Sequence, residues 1–135
     1  MARHKQFLVA SWAYIGIRFN ALRCNIERET PPQAYEVRAR ASHLVKAVAE
    51  RVEGLLILPA LPYGMSAHYS SFPVAVSLST ETLMRVLWEV FASLLDHGID
   101  RLLIVNGHDG NIPAIETATR EFRTEHPEMR IAVLE

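Results

Sequence analysis

Three short runs of consecutive apolar residues dominate the later part of the sequence: Leu55–Leu58, Leu102–Val105 and Ile131–Leu134. None of the runs alternates between apolar and polar residues, which is typical of strands that are buried on both faces. Segments of helical length separate the runs, and apolar residues recur in them every three or four positions. Strand and helix in this order predict βαβ units with right-handed crossovers and helices on both faces of a mainly parallel sheet. The sequence therefore predicts an α/β fold.

The helix that precedes the Leu102–Val105 run has the clearest boundary signals. Ser79 or Thr80 can cap its first turn, and Gly98 lies where a left-handed residue is expected after a helix. Pro113 suits the first turn of the following helix. The apolar residues that predict the buried face of the first of these helices are Leu83, Leu87, Val90 and Leu94. These positions predict two amphipathic helices that pack on the sheet.

The first 40 residues differ in charge and pattern from the rest of the chain. They carry seven basic and three acidic side chains, a balance of +4, whereas residues 41–135 have a balance of −5. Within the early segment, Phe7–Ile17 is consistent with a strand, but residues 18–32 follow no repeat. We therefore expect an atypical N-terminal segment, residues 1–40, that is replaced or frame-shifted, followed by one α/β domain over residues 41–135.

Composition excludes several classes of protein. A formal net charge of −1 gives no general attraction to nucleic acid or to an anionic membrane. Cys24 is the single cysteine of the sequence and cannot form an internal disulfide bond, so we expect a reducing, cytoplasmic compartment. A membrane span needs about 18 apolar residues, and the longest candidate, Phe7–Ile17, is too short. We therefore expect neither nucleic acid nor membrane as a partner.

Polar loops with glycine follow the first two apolar runs. The loop at residues 106–111 reads Asn-Gly-His-Asp-Gly-Asn, and the loop at residues 63–68 reads Tyr-Gly-Met-Ser-Ala-His. Because ligands of open α/β sheets bind beyond the carboxyl ends of the strands, we expect His68 and His108 to face one cleft. A neutral His108 can donate a nitrogen lone pair to a divalent ion, and Asp109 can ligate the ion or orient the ring.

Simpler interpretations of these loops remain open. The 106–111 loop is also consistent with a glycine-rich turn into a helix that Asn111 caps. The pair Gly107 and Gly110 before a helix can hold a phosphate through backbone amides. The alternatives to catalysis are therefore a phosphate- or nucleotide-binding module and a non-catalytic α/β domain kept for assembly.

In these two loops the sequence resembles the creatininase family of metal-dependent amidohydrolases. The resemblance covers residues 41–135 and is strongest over His97–Asn111, where His-Gly, a hydrophobic strand and Asn-Gly-His-x-(Gly or Glu)-Asn follow one another. The second matching stretch is Leu61–Ser66. It is followed at the family's spacing by further matching residues, His68, Phe72, Pro73, Ser77 and Leu78.

The resemblance implies a three-layer α/β/α sandwich that hydrolyses an amide or cyclic amide C–N bond in a small-molecule substrate. It implies that one or two divalent ions, zinc, manganese or iron, activate the attacking water. By carry-over, His108 is a metal ligand, and His68 and Asp109 are catalytic residues. The residues expected to bind substrate or to hold the loops around it are Tyr63, Ser66, Asn106, Gly107 and Asn111. The resemblance also implies a homo-oligomer.

The sequence departs from the family pattern towards both of its ends. The early family motif, Glu-x-His-Gly-x-His-Leu-Pro followed by Asp, is not found upstream of Val45, and the late His-Ala-Gly-Glu motif would lie beyond Glu135. Gly110 stands where creatininase-type members place a liganding Glu, so the chain is closer to a Gly-Gly branch, or Asp109 substitutes. A catalytic metal needs about three protein ligands. We therefore expect the central portion of the family's domain, truncated at the C-terminus and inactive or weakly active by itself.

Overall fold

The fold is built around a sheet of four parallel strands. A computed structural model describes residues 7–12, 43–48, 50–52, 55–71 and 75–135. The strands are β1 (Phe7–Trp12), β2 (Leu55–Leu58), β3 (Arg101–Asn106) and β4 (Arg130–Leu134). Their order across the sheet is β2-β1-β3-β4, and every neighbouring pair is parallel. The predicted α/β fold with a parallel sheet is confirmed.

The helices begin and end where the sequence signals lie. The helical segments are α1 (residues 43–48), α2 (Thr80–Asp96) and α3 (Ile112–Glu125). Ser79 caps α2, because its hydroxyl accepts a hydrogen bond from the Thr82 N–H at 3.1 Å. Gly98 has a φ of 77°, the left-handed conformation expected after the end of a helix. Both predicted boundaries of α2 are therefore confirmed.

The two faces of β3 pack against different helices. Leu102 and Ile104 lie in the main core, which contains the buried residues of α2 and α3. On the opposite face, the buried Val105 packs with Val45 of α1 and with the partly buried Leu103. This alternation along one strand places helices on both faces of the sheet, as predicted from the continuous apolar run.

Aromatic side chains join α2 to α3 in the main core. Phe122 of α3 is fully buried and meets Phe91 of α2 edge-on, with ring centroids 5.3 Å apart. Trp88 contacts the same Phe122 ring edge-on at 5.0 Å. Burial of each phenylalanine contributes about 2–3 kcal/mol to folding. This packing fixes α3, and with it the loop that precedes α3.

The prediction that β2 is buried on both faces is wrong. Leu56 and Ile57 are each 44% exposed. The reason is the position of β2 at one edge of the sheet, where β1 is its partner within the described residues. The continuous apolar run identified the parallel sheet correctly but did not give the place of the strand within it.

β1 lies in the middle of the sheet although it comes from the atypical early segment. Val9 is aligned with Ile57 of β2 on one side and with Leu103 of β3 on the other. The strand predicted within Phe7–Ile17 is confirmed over Phe7–Trp12, and its remainder lies outside the described residues. The replaced or frame-shifted origin of residues 1–40 and the C-terminal truncation remain predictions. Within the described ranges, no helix has the length and apolar character that a membrane crossing requires.

We expect Gly98→Ala to lower the free energy of unfolding by about 1–2 kcal/mol, because a β-carbon disfavours the left-handed conformation. A β-carbon at Gly98 would meet no atom within 4 Å, so the backbone conformation alone sets this cost. Gly98→Asn is the matched control and should lose less, since Asn tolerates positive φ. Urea denaturation of the three proteins measures the difference. An alanine variant as stable as the wild type would contradict the left-handed conformation.

Candidate functional site

The two polar loops lie together at the carboxyl edge of the sheet. One loop follows β3, which ends at Asn106, and the other follows β2, which ends at Leu58. Parallel strands bring their carboxyl ends to the same edge. The centroids of the His68 and His108 rings are 5.2 Å apart, and the ring planes differ by 23°. The structure thus brings together the two histidines that the sequence placed in one cleft.

Asn106 holds the backbone of His108 from both sides. Its Oδ1 accepts a hydrogen bond from the His108 N–H at 3.2 Å, and its Nδ2 donates to the His108 carbonyl at 3.0 Å. The Asn106 side chain is buried at the end of β3. Two bonds from one rigid amide fix the direction in which His108 leaves the strand.

Asn111 connects the two loops and does not cap α3. Its Oδ1 accepts a hydrogen bond from the Met65 N–H at 2.8 Å, across 46 positions of sequence. Its Nδ2 lies 3.4 Å from the Oδ1 of Asn106. The side chain makes no capping bond to the backbone of α3, so the interpretation of Asn111 as a helix cap is wrong. The Asn111 amide bonds the distant Met65 N–H instead of the backbone of α3, because Met65 lies within hydrogen-bond distance.

Two glycines allow this close approach. A β-carbon at Gly64 would lie 2.5 Å from the Oδ1 of Asn111. A β-carbon at Gly110 would contact the carbonyl oxygen of Met65 and would lie 2.7 Å from Nε2 of His108. A larger residue at Gly64 would require the Asn111 side chain to move, and one at Gly110 would require the Met65 backbone and the His108 ring to move.

The His108 ring is held by the other loop. Its Nε2 lies 3.1 Å from the carbonyl oxygen of Met65. A carbonyl oxygen accepts and cannot donate, so Nε2 carries the proton in this contact. In the neutral ring, Nδ1 is then the nitrogen with a lone pair, which is the atom type that binds a divalent ion. A backbone carbonyl that accepts from one ring nitrogen is also how proteins commonly orient a ligating histidine.

Tyr69 forms a cluster of three rings with His68 and His108. Its ring centroid is 4.2 Å from that of His68 and 6.0 Å from that of His108. His68 is exposed, whereas Tyr69 and His108 are half-buried. The exposed ring of His68 therefore lies between solvent and the more enclosed His108.

The environment of His108 favours its neutral form. Burial lowers the pKa of His108 below its usual value of 6.5, because a charged ring loses solvation. Repulsion from His68 lowers the pKa further, whereas the hydrogen bond to Met65 and the charge of Asp109 act in the opposite direction. The net shift is downward, so the lone pair is present at neutral pH.

The other predicted site residues are distributed around this cluster. Asp109 is exposed beside His108, Gly107 is half-buried between Asn106 and His108, and Tyr63 is 36% exposed on the opposing loop. Ser66 is only 1% exposed, and its hydroxyl has no hydrogen-bond partner within the described residues. The catalytic and substrate-binding roles assigned to these residues remain predictions.

Residues 65 and 69 contribute to the site in ways that the sequence did not predict. The backbone of Met65 bonds both Asn111 and His108, and no side-chain pattern reveals a backbone role. Tyr69 directly follows His68 in the sequence, and an aromatic residue next to a candidate histidine was the available signal for it.

The described residues do not form a complete metal centre. Their imidazoles are suitable donors, but within the described ranges no three His, Cys, Asp or Glu side chains come together around one point. A catalytic metal site uses about three protein ligands. The role of His108 as a metal ligand remains a prediction, and a centre that includes it would need ligands from outside the described residues.

Comparison with known proteins identifies the family. The sequence model of the creatininase family, described as creatinine amidohydrolase, matches residues 38–135. The chain belongs to the creatininase family. Both loops of the site lie within the matched region.

Two curated relatives match this chain over part of their length. A mycofactocin precursor peptide peptidase from Mycobacterium ulcerans (strain Agy99) is 35% identical over 88 residues, which is 65% of this chain and 35% of the relative. A creatinine amidohydrolase from Pseudomonas putida is 37% identical over 87 residues, covering 58% of this chain and 33% of that protein. The chain therefore matches about a third of the length of each relative.

Solved creatininase structures share the fold. A structure titled "Creatininase Mn" superposes with a TM-score of 0.68 at 24% identity and covers 97% of this chain and 51% of that one. A mutant creatininase of Zn-Zn type gives a TM-score of 0.66 at 25% identity, with coverage of 97% and 50%. Nearly the whole chain thus corresponds to half of a creatininase fold.

We expect Gly110→Ala to break the contact between His108 and Met65, because the new β-carbon meets the Met65 carbonyl. The expected loss is about 1–3 kcal/mol in the free energy of unfolding. Asp109→Ala, at an exposed neighbouring position, is the control and should change stability by no more than about 0.5 kcal/mol. Urea denaturation measures the stability of both variants. The NMR signals of the His108 ring in Gly110→Ala report the loss of its contact with Met65. Equal stability of both variants would contradict the close approach.

We expect an NMR titration to give His108 a pKa below 6.5, because burial and His68 both disfavour the charged ring. His68→Gln should raise the pKa of His108 by removing the repulsion. Because the folded pKa lies below the unfolded one, the contribution of His108 to stability is complete above about pH 6.5 and is lost as the pH falls through the folded pKa. His108→Gln should therefore show a weaker loss of stability on acidification. A pKa of His108 above 6.5 would contradict this environment.

Proposed function

We propose that the protein is part of a metal-dependent hydrolase that cleaves an amide C–N bond, with His108 as one metal ligand. The observation that carries the proposal is the orientation of His108 at the carboxyl edge of the sheet. Its Nε2 is bonded to the Met65 carbonyl, which leaves Nδ1 with the lone pair. The same ring lies within the region that matches the creatininase family.

Each residue around His108 has a distinct task in this proposal. Asn106 and Asn111 hold the loop geometry through their amides, and Met65 fixes the rotation of the imidazole. The exposed His68 stacks on the His108 ring. From this position it can accept a proton from a bound substrate or donate one to it. A divalent ion held by His108 would supply an activated water and would polarise the carbonyl group of the substrate.

The substrate class follows from what the two curated relatives share. One is named a peptidase of a precursor peptide and the other an amidohydrolase of creatinine. Both names describe hydrolysis of a C–N bond next to a carbonyl group, although the substrates differ in size. We therefore propose an amide or cyclic amide as the substrate, and zinc or manganese as the metal, as in the titles of the two solved structures.

The phosphate-binding alternative is not favoured by the geometry of the 106–111 loop. The space over Gly110 is occupied by the Met65 carbonyl and by the two histidine rings, because a β-carbon there would contact all three. A ligand in the space over Gly110 would have to displace them.

Metal content and amide hydrolysis test the proposal. Purified protein should bind zinc or manganese in elemental analysis after dialysis, and His108→Ala should lose at least about tenfold in metal affinity, because one ligand is removed. His97→Ala is the matched control, since His97 is an exposed histidine outside the site, and it should retain the metal. Ring opening of creatinine, followed as its conversion to creatine, and release of ammonia from a short peptide amide measure activity. Equal metal content in wild type and His108→Ala would contradict the ligand assignment.

A further inference from the structure

The peptide group between Met65 and Ser66 is hydrogen-bonded on both of its sides. Its N–H, which belongs to Ser66, donates to the Oγ of Ser77 at 2.8 Å. Its carbonyl, which belongs to Met65, accepts from Nε2 of His108 at 3.1 Å. The N–H and the C=O of a trans peptide group point in opposite directions, so Ser77 and His108 lie on opposite sides of this group. A rigid planar unit therefore connects the serine hydroxyl to the imidazole.

The hydroxyl of Ser77 has a fixed direction. It donates to the carbonyl of Leu78 at 3.0 Å, so that its oxygen accepts from the Ser66 N–H. Leu78 is itself held in place, because its N–H donates to the Gly64 carbonyl at 2.9 Å and its side chain packs against the main core. Although the residue is exposed, Ser77 thus bonds two backbone groups at the same time.

These contacts form one chain of hydrogen bonds that ends at the imidazole of His108. The chain runs from the carbonyl of Leu78 through the Ser77 hydroxyl and the Met65–Ser66 peptide group. Hydrogen bonds in such a chain polarise and strengthen one another. Donation by the peptide N–H therefore makes the carbonyl of the same group a better acceptor for the ring. A better acceptor favours the tautomer with the proton on Nε2, because a neutral ring protonated on Nδ1 cannot donate to it.

We propose that Ser77 is a positioning residue for His108. Its hydroxyl orients the Met65–Ser66 peptide group, and this group keeps the ring proton on Nε2 and the lone pair on Nδ1. The inference deepens the proposed function and rests on it for the metal, since Nδ1 is the atom that this tautomer presents to a divalent ion. Removal of groups that orient a ligating histidine commonly weakens metal binding.

The nitrogen NMR spectrum of the His108 ring tests the role of Ser77 without any metal. Protonated and unprotonated ring nitrogens differ in chemical shift, so the spectrum gives the ratio of the two tautomers, and His108→Gln identifies the signals. At about pH 8 a histidine of ordinary pKa is neutral, and the wild-type ring should be protonated on Nε2. Ser77→Ala should raise the fraction protonated on Nδ1 at least about threefold, because the Met65 carbonyl loses the partner that polarises it. Ser77→Thr keeps the hydroxyl at an exposed position and should retain the wild-type ratio.

Ser79→Ala is the matched control. Ser79 is also an exposed serine, but its hydroxyl bonds Thr82 in the first turn of α2. The substitution removes a hydroxyl and a helix cap and should leave the tautomer ratio of His108 unchanged. It therefore separates the hydrogen-bond chain from a general loss of stability. Circular dichroism verifies that each variant is folded.

Zinc binding then links the tautomer to the proposed function. Ser77→Ala should lower the affinity for zinc at least about threefold, whereas Ser77→Thr should retain it. If His108→Ala binds zinc as tightly as the wild type, the proposed function fails, but the tautomer ratio still decides the role of Ser77.

Four results would overturn the positioning role. They are a wild-type ring protonated on Nδ1, an unchanged tautomer ratio in Ser77→Ala, an equal change of that ratio in Ser79→Ala, and a zinc affinity that falls in His108→Ala but not in Ser77→Ala.

Discussion

The hydrogen bond between the Met65 N–H and the Oδ1 of Asn111 is the contact on which the geometry of the site depends. It joins a loop after an edge strand to the loop that follows a central strand, 46 positions later in the sequence. Because Asn111 is buried, the loss of this bond would leave a polar group without a partner, at a cost of about 1–3 kcal/mol. The bond also places the Met65 carbonyl where it can hold the His108 ring. This link between the loops therefore supports both the contact that holds the His108 ring and its stacking with His68.

The sequence predicted the parts of the structure that local pattern controls. The apolar runs located three of the four strands, and Ser79 and Gly98 marked both ends of α2. The exposure of β2 was not predictable, because it depends on which strand lies beside it. The role of Asn111 was missed for a similar reason: an asparagine before a helix predicts a cap, and only the distant Met65 diverts its side chain.

The comparisons identify the family and the fold of the chain, whereas the local geometry describes two of its candidate site residues, His68 and His108. The family match extends over residues 38–135, and the fold similarity covers 97% of the chain but about half of each solved creatininase. The described residues orient one neutral imidazole and stack a second upon it. They do not bring together a full set of metal ligands, so the chemistry of the family requires groups from outside the described ranges.

Met65 links the site to the interior of the protein. Its main chain bonds Asn111 and His108, while its side chain packs against the main core between the sheet, α2 and α3. Protein interiors are close-packed and transmit small displacements rather than absorbing them. The hydrophobic packing around the Met65 side chain therefore helps to hold the imidazole of His108 in place. A void opened beneath residue 65 by a distant change would loosen the ring even if every residue of both loops stayed the same.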